Sequence, residues 1–196
     1  MAGFGELVLV MGDCHVPYRA SVVPEKFKRM LVPNKMQHVV CTGNIDAEQY
    51  DELRALAPNV HVVAGDFDIH TSFPETSVLQ VGQFRIGVVH GHQILPPHSQ
   101  HALARMRRKL NVDILVYGHS HQNQVTCHDG YYHINPGSMT GAHSVVVAPH
   151  NVSPSFILLA VKENTAVCYV YEYNNKNGQV DVSKTDFTKK TVEPGM

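Results

Sequence analysis

Short apolar runs alternate with helical patterns over the first two-thirds of the chain. Residues 24–32 and 47–57 carry apolar residues at helical spacing; Pro24 suits a first helical turn and Pro58 ends the second segment. The strand candidates around them, rich in β-branched residues, are residues 7–11, 39–41 and 60–64. This β-α-β-α-β order predicts parallel strands with helices on the faces of the sheet.

The rest of the chain is dominated by strand patterns. Gly82 and Gln83 separate two strand-like segments, residues 78–81 and 84–89, and predict a hairpin. A helix is predicted over 99–110. The later strand candidates are residues 114–117, 124–128, 131–135, 156–161, 166–173 and 180–187. We found no internal repeat and no linker between these segments. The pattern therefore predicts one α/β domain with a mixed or two-sheet core.

Composition narrows the class of protein. The chain has 196 residues, 43% hydrophobic and 17% charged, with a net charge of −1, which fits one folded domain and argues against a generally basic nucleic-acid binder. Its apolar runs are too short to span a bilayer, and its first residues lack a secretory pattern. None of the four cysteines forms a C-x-x-C pair, and their even number leaves two disulfides open. Because Cys41 and Cys168 lie in apolar runs typical of buried core thiols, a reduced intracellular protein is the better interpretation.

Five predicted strands end in polar residues of the types that bind metals. Because sites in open α/β sheets form beyond the carboxyl ends of strands, we expect these endings to meet at one rim. We also expect the i, i+2 pairs in two of the endings to project to one side from extended backbone. The seven candidate ligands are Asp13, His15, Asn44, Asp66, His90, His119 and His121.

This ligand set suits borderline divalent ions such as Mn, Zn or Fe(II) rather than Ca or Mg. Seven candidates exceed the needs of one tetrahedral zinc and fit two ions about 3.5–4 Å apart. Each Gly-Asp alone is more typical of a turn, and Asp46 is equally well explained as a helix N-cap. The joint occurrence of all five endings is the specific signal.

The same segments resemble the calcineurin-like metallophosphoesterases. The resemblance is carried by LVLVMGDCHVP, KFKRMLVPNKMQHVVCTGN, VHVVAGDFD, IGVVHGHQILP, VDILVYGHSH and INPGS. It is closer still to the small phosphoesterase-like subunits of retromer, an endosomal cargo-sorting complex. It implies a four-layer α/β/β/α sandwich over residues 7–187, with an extra segment at 1–6 and a polar tail at 188–196. By motif match, the seven candidates take the ligand positions for up to two divalent ions, Zn or Mn.

Two positions depart from the active enzymes of that family. Where they typically have a bridging aspartate, this chain has Asn44, and an uncharged amide offsets the repulsion of two cations poorly. Where they have a catalytic histidine, it has Phe67, which has no proton to donate. Asp68 stands in the place of the acid that orients that histidine, with nothing left to orient. His70 and His92 are open as substitutes, although neither occupies the family position.

The resemblance, with these departures, predicts a non-catalytic scaffold subunit in endosome-to-Golgi retrograde transport. It implies weak or optional metal binding, and docking of the large α-solenoid retromer subunit at the metal face, where Phe67, Ile94 and Leu95 would form an apolar collar. A core-facing 94–97 loop is the equally weighted alternative. Regulators are expected on an opposite apolar patch of Leu7, Leu31, Leu158 and Tyr171, each of which also fits a core position.

The implied location is cytoplasmic, peripheral on endosomes through the complex, without direct membrane insertion or nucleic-acid binding. The alternative is a working metal-dependent phosphodiesterase.

Overall fold

The computed structural model describes residues 5–68, 72–97, 99–144, 146 and 152–190. Within them the chain forms eleven strands and three helices. The first part of the chain alternates strands and helices as β1 (Glu6–Met11), α1 (Glu25–Met30), β2 (His38–Cys41), α2 (Ala47–Leu56) and β3 (Asn59–Val62). The predicted domain limits, residues 7 and 187, each lie one residue inside the outermost strands, which begin at Glu6 and end at Thr188.

The later elements are mostly strands, as the pattern predicts. They are β4 (Thr76–Val81), β5 (Phe84–Val89), α3 (Gln100–Leu110), β6 (Ile114–Val116), β7 (Asn123–His128), β8 (Tyr131–Pro136), β9 (Ser155–Lys162), β10 (Thr165–Asn174) and β11 (Gln179–Thr188). The boundaries of all fourteen elements lie within about two residues of the predicted ones, the usual uncertainty of an element end.

The strands form two mixed sheets. The six-stranded sheet has the order β11-β10-β9-β1-β2-β3, in which β1, β2 and β3 run parallel and β9 runs antiparallel to β1. The five-stranded sheet has the order β4-β5-β6-β8-β7, with β5, β6 and β8 parallel. The six-stranded sheet therefore has a parallel half and an antiparallel half, which meet at the β1–β9 pair, whereas the five-stranded sheet has a parallel centre and two antiparallel edges.

Four layers result from how these sheets bury their apolar faces. Val10, Phe84, Val88 and Ile157 belong to a core between the two sheets. A second cluster, which includes Phe27 of α1 and Leu53 of α2, packs on the outer face of the six-stranded sheet. A third places α3 on the five-stranded sheet through Leu103 and Leu115. The predicted α/β/β/α sandwich is confirmed.

Local signals in the sequence explain where the helices begin and end. The Asp46 carboxylate accepts the Gln49 N–H, and the Gln49 side chain accepts the Asp46 N–H, which is a complete capping box at the start of α2. The predicted N-cap role of Asp46 is thus confirmed. Asn111 closes α3 in a left-handed conformation. In the described ranges, no helix has the length and apolar character needed to cross a membrane.

The carboxyl ends of five strands lie at one end of the sandwich, which we call the rim. Asp13 follows β1, and its carboxylate contacts both the Asn44 side chain after β2 and the His119 backbone after β6. Asp66 follows β3 and contacts His90, which follows β5. The rim therefore joins loops of both sheets, as expected from the strand order.

Candidate metal centre

Two groups of ligand-type side chains lie at the rim. The inner group is Asp13, His15 and His121, all buried; the outer group is Asp66, His90 and His119. In each group, one ligand atom per residue lies within 4.8 Å of the others. The structure therefore brings together six of the seven predicted ligands in two sets of one carboxylate and two imidazoles.

The inner group concentrates ring nitrogens around a buried carboxylate. Asp13 Oδ1 lies 3.5 Å from His121 Nε2 and 3.9 Å from His15 Nε2, and the two Nε2 atoms are 3.3 Å apart. Burial lowers the pKa of His15 to about 4, against the opposing effect of Asp13, so its ring is neutral near pH 7. Two imidazoles and a carboxylate that converge in this way form a donor set for a cation.

The outer group is more exposed than the inner group, and its carboxylate lies closer to a histidine nitrogen. His90 Nε2 lies 2.9 Å from Asp66 Oδ1, and His119 Nδ1 lies 3.6 Å from Asp66 Oδ2. Burial opposes the charge of His90, but Asp13 and the hydrogen bond to Asp66 outweigh it and raise its pKa. Burial likewise opposes the charge of Asp66, but hydrogen bonds from His90 and Asn44 lower its pKa. Both pKa shifts favour the charged form of the group concerned, so His90 and Asp66 attract each other in the outer group.

Backbone carbonyls orient two of the histidines. His90 Nδ1 lies 2.7 Å from the Thr42 carbonyl oxygen, and His121 Nδ1 lies 2.7 Å from that of Ala142. Because a carbonyl oxygen only accepts, each Nδ1 carries a proton, and Nε2 faces its group of ligands. This arrangement, in which a second shell fixes the tautomer, is typical of metal-binding histidines.

Asn44, the seventh predicted ligand, lies between the two groups. Its Nδ2 donates to Asp13 Oδ1 at 3.3 Å and to Asp66 Oδ1 at 3.0 Å, while its Oδ1 accepts the Phe67 N–H at 3.0 Å. An amide nitrogen with two hydrogens has no lone pair for a metal, so in this orientation Asn44 joins the groups by hydrogen bonds. A ligand role would need the amide turned by half a rotation.

The backbone of the ligand loops differs from the expected extended form. Asp13, His15, Asn44, His119 and His121 all have φ between 49° and 70°, in the left-handed region. The i, i+2 pairs therefore converge through tight turns and not through a strand-like backbone, which corrects the geometry we expected. Such conformations cost energy for residues with a Cβ and cluster at functional sites.

Close packing of glycines lets the loops meet. A Cβ on Gly65 would lie 2.2 Å from Asn44 Oδ1, and a Cβ on Gly118 would lie 2.6 Å from Asp13 Oδ2. Both distances are far below any real contact, so these positions exclude every residue with a side chain unless the ligands move. The glycines that precede the ligands are thus part of the site.

A loop after β8 supports the inner group, and reasoning from strand endings missed it. Ser138 Oγ donates to the Asp13 carbonyl and Thr140 Oγ1 donates to the Cys14 carbonyl, both at 2.7 Å. The Asn135 amide also donates to the Gly118 carbonyl at 3.2 Å. The INPGS segment that contributes to the family resemblance was the available signal, since its polar residues follow a strand at the same rim.

Phe67 lies beside the inner group with its side chain 51% exposed. Its ring meets His15 edge to face, and the guanidinium of Arg19 lies 4.2 Å from its centroid. Arg19, which we did not predict at the site, also donates to the His143 carbonyl at 3.4 Å. Asp68 also makes hydrogen bonds at this site, although we expected it to have no group left to orient. Its carboxylate accepts the backbone N–H groups of Asn44 and Gly65 at 2.7 and 2.8 Å.

The two apolar surfaces predicted for partners differ in exposure. Leu95 is 65% exposed, but Ile94 is only 5% exposed and packs with Leu103 and Leu115, so Ile94 is a core residue and the expectation of a docking role for it is wrong. The four residues of the opposite patch are all partly buried and pack on one cluster outside the six-stranded sheet; they are Leu7, Leu31, Leu158 and Tyr171. We call these four residues the sheet patch.

The open substitutes for the missing histidine have different positions. The exposed His92 ring lies 5.3 Å from the His90 ring and 6.3 Å from the His119 ring, near the outer group. His70 falls outside the described residues.

The donor set fits divalent ions of the zinc type. Each group supplies one carboxylate and two imidazoles, and three protein ligands with a free fourth position are typical of open zinc sites. A bound ion would polarise a ligand in that position or lower the pKa of a bound water. In these loops, however, position 67 carries the hydrocarbon ring of Phe67, which has no proton to donate.

Comparison with known proteins places this geometry in a family. Residues 7–164 match the calcineurin-like phosphoesterase superfamily domain. Vacuolar protein sorting-associated protein 29 of Schizosaccharomyces pombe is 36% identical over 186 residues, which cover 93% of this chain and 98% of that protein. The chain belongs to the vacuolar protein sorting-associated protein 29 (Vps29) family of the calcineurin-like phosphoesterase superfamily.

Solved structures of Vps29 proteins share the complete fold. The zinc complex of Vps29 from Entamoeba histolytica is 44% identical, with a TM-score of 0.86, and the match covers 93% of this chain and 99% of that one. Vps29 from Cryptosporidium parvum is 38% identical, with a TM-score of 0.90 and coverage of 95% and 100%. The Vps29 fold thus includes the long antiparallel strands β9 to β11 as well as the rim.

Proposed function

We propose that this Vps29 protein is a non-catalytic scaffold subunit of retromer, acting in endosome-to-Golgi retrograde transport. The observation that carries the proposal is Phe67. A half-exposed hydrocarbon ring lies against His15 at the position where the family's active enzymes have a histidine, so the rim has ligands for metal but no proton donor at that position. On this view the protein is cytoplasmic and reaches the endosomal membrane through the complex.

Metal at the rim has a structural role in this proposal. The inner and outer groups would hold up to two ions, and the zinc complex of the Entamoeba histolytica protein supports zinc as one of them, with Mn as the second candidate. An ion would neutralise the converging carboxylates and fix the strained ligand loops. Occupancy of the inner group would then set the shape of the rim surface that a partner meets.

The rim also carries apolar side chains suited to a protein partner. Leu95 is 65% exposed and Phe67 is 51% exposed. A cavity next to Leu95 has a mixed lining of Pro96, Ser99, His101, Ala102, Arg105 and Arg108. Exposed large apolar residues next to a shallow cavity are typical anchor points of an interface. We assign this face to the large α-solenoid subunit of retromer.

Regulators would bind at the sheet patch on the outer face of the six-stranded sheet. Tyr171 lies opposite Phe156 across the β9–β10 pair, and their rings stack with centroids 4.7 Å apart. Opposite Tyr171 on its other side lies Val182, which is 53% exposed. The patch therefore continues from the covered core to an uncovered edge, which gives a partner apolar side chains to bury.

A co-purification experiment tests the docking assignment. We expect Leu95→Asp to abolish binding of the α-solenoid subunit, because a charge would be buried in the interface, while the thermal unfolding temperature is unchanged. Val78→Asp is the matched control, since Val78 is 42% exposed on β4, a strand whose end supplies none of the rim ligands. Equal binding of wild type and Leu95→Asp would show that the rim assignment is wrong.

A working phosphodiesterase is the second candidate. The observation in its favour is that both groups of metal ligands are intact and that His92 lies near the outer group. Hydrolysis of an activated phosphodiester with added Mn separates the two functions. The scaffold proposal expects a rate near background; robust turnover that is lost in Asp13→Ala would establish the enzyme instead.

A further inference from the structure

A cavity of about 400 Å³ with several basic residues in its lining lies at the end of the sandwich opposite the rim. It is bounded by the amino-terminal ends of β5 and β8, the carboxyl end of α3 and the segment after β11. Its polar and charged lining includes Arg85, Arg107, Asn111, Asp113, Asn164 and Lys190, together with Tyr131 and Lys189. None of these residues belongs to the rim or the sheet patch.

The charge of this cavity is strongly positive once its internal ion pair is counted. Among the described lining residues, Asp113 is the one acid, and Lys189 Nζ lies 2.7 Å from its carboxylate. The Asp113 carboxylate also accepts the Arg85 backbone N–H at 2.8 Å. This pairing leaves the charges of Arg85, Arg107 and Lys190 without an acidic partner in the lining.

The three cations are positioned by bonds that use only part of their donor capacity. Arg85 donates through Nε to the Asn111 carbonyl at 2.9 Å, and Arg107 donates through one terminal nitrogen to the Val112 carbonyl at 3.3 Å. Lys190 donates to the Asp129 carbonyl at 3.0 Å. A guanidinium has five N–H donors, so each arginine is held in place while it retains donors for a ligand.

Three cations without an acidic partner, two of them arginines with N–H donors to spare, favour a phosphate-bearing ligand in this cavity. Arginine forks match phosphate oxygens in a bidentate manner, and charge-assisted hydrogen bonds are about twice as strong as neutral ones. A single phosphate monoester carries about −2 charges, less than the three available cations can balance. The cavity also exceeds the space of one phosphate and lies in the roughly 300–1,000 Å³ range of small-molecule sites.

The lining also indicates what carries the phosphates. The Tyr131 ring is covered by Arg107, whose guanidinium carbon lies 3.7 Å from the centroid, and Lys190 Nζ lies 5.5 Å from the same centroid. The ring is therefore engaged by cations and is not free to stack on a nucleobase. The carboxamides of Asn111 and Asn164 instead offer donors and acceptors that match hydroxyl groups.

We propose that this basic cavity binds a polyol carrying two or more phosphate groups, free or as the headgroup of a lipid. The site is independent of the scaffold function, because it shares no residue with the rim or the sheet patch. Its ligand would add a contact of this chain with a soluble metabolite or a membrane surface.

Calorimetric titration of the full chain with inositol hexakisphosphate, without added divalent metal, tests the proposal. We expect the wild-type protein to bind this compound saturably. The double variant Arg85→Gln/Lys190→Gln should bind it about tenfold or more weakly, which is equivalent to the loss of one charge-assisted hydrogen bond. Arg29→Gln/Arg54→Gln is the matched control, with the same loss of charge on α1 and α2, and should bind within about twofold of wild type. Lys190→Gln alone, at an exposed position, keeps the test valid if the double variant unfolds.

Vesicle sedimentation separates the two sources of the ligand. Binding to phosphatidylcholine vesicles that contain a phosphatidylinositol bisphosphate, with competition by inositol hexakisphosphate, would assign a lipid headgroup. Binding of the soluble compound alone would assign a free polyol phosphate. The proposal is overturned if no saturation occurs up to about 1 mM, if both double variants bind equally, or if polyglutamate binds the cavity as tightly.

Discussion

The ring of Phe67 meets the ring of His15 edge to face, with centroids 5.4 Å apart and planes at 76°. This contact gives His15 a hydrocarbon neighbour on the open side of the inner group. It accounts for part of the burial that lowers the pKa of His15 and leaves no group at position 67 that can transfer a proton. On the scaffold proposal, the absence of catalysis at the rim therefore depends on this one side chain.

Replacing Phe67 by histidine tests that dependence. We expect Phe67→His to raise Mn-dependent hydrolysis of an activated phosphodiester above the wild-type rate by about 10–100-fold, a lower estimate than full general acid catalysis provides. The measurement is initial rate against Mn concentration. Phe67→Ala is the control, because it opens the site without a proton donor. An equal gain in both variants would mean that access, and not proton transfer, limits the rate.

The two ligand groups predict separate metal sites. Asp13→Asn and Asp66→Asn each remove the carboxylate of one group, so each should lower the zinc stoichiometry from two to one. Competition with a chromophoric zinc chelator measures stoichiometry and affinity. Asp129→Asn, at an exposed acid in the β7–β8 turn, should change neither. Unchanged stoichiometry in both rim variants would contradict the two-site interpretation.

His133 predicts a pH dependence of stability that is independent of metal. It is 1% exposed on β8, its Nε2 has no hydrogen-bond partner among the described residues, and burial lowers its pKa to about 4, with His128 and Arg107 adding to the effect. Between about pH 6.5 and 4 the unfolded chain binds a proton at this residue that the folded chain does not. The free energy of unfolding should therefore fall as pH falls through this window, by an amount on the order of 3 kcal/mol.

Urea unfolding in the presence of a chelator isolates this contribution. His133→Phe keeps an aromatic ring in the core without a titrating group, so its stability should depend less on pH between about 4 and 6.5 than that of wild type. His101→Gln, at an exposed position of α3, should retain the wild-type slope. Parallel curves for all three proteins would mean that His133 is protonated in the folded state.

The capping box of α2 should contribute measurably to the stability of the protein. Asp46→Ala removes the acceptor of the Gln49 N–H and should cost about 0.5–2 kcal/mol in the free energy of unfolding. Asp51→Ala removes an exposed acid from the middle of the same helix and should change stability by less than about 0.5 kcal/mol. Chemical denaturation of the two variants measures the difference. Similar losses in both would mean that helix charge, and not the cap, is what matters.

Much of the fold could be predicted because strands, turns and helix ends are determined mainly by residues that are close together in the sequence. The run at β1 is fully apolar because that strand lies in the middle of the six-stranded sheet, and Gly82 turns the β4–β5 hairpin with a φ of 52°. The meeting of Asp13, Asn44 and His119 followed from one rule, that parallel strands end at a common rim. Strand endings and helix caps are thus readable before any tertiary contact is known.

The remaining features depend on contacts between distant segments. Nothing in the neighbourhood of Ile94 distinguishes it from Leu95, yet one packs under α3 and the other is exposed, because the loop turns between them. The orientation of Asn44 is set by the Phe67 N–H, and the support by Ser138 comes from a segment 125 residues beyond Asp13, the ligand that it holds. The left-handed backbone at Asp13 likewise requires the opposing loops to be in place.

Strand β1 has a consequence for assembly that follows from its central place in the six-stranded sheet. Its amino-terminal end presents Leu7 and its carboxyl end leads into Asp13, so a single run of extended chain connects two surfaces about 20 Å apart. Two occupants separated in this way would not collide, and a rigid, fully hydrogen-bonded strand fixes their spacing. On the scaffold proposal, the molecule thus has the geometry of a coupler that can hold two proteins at the same time in a set orientation.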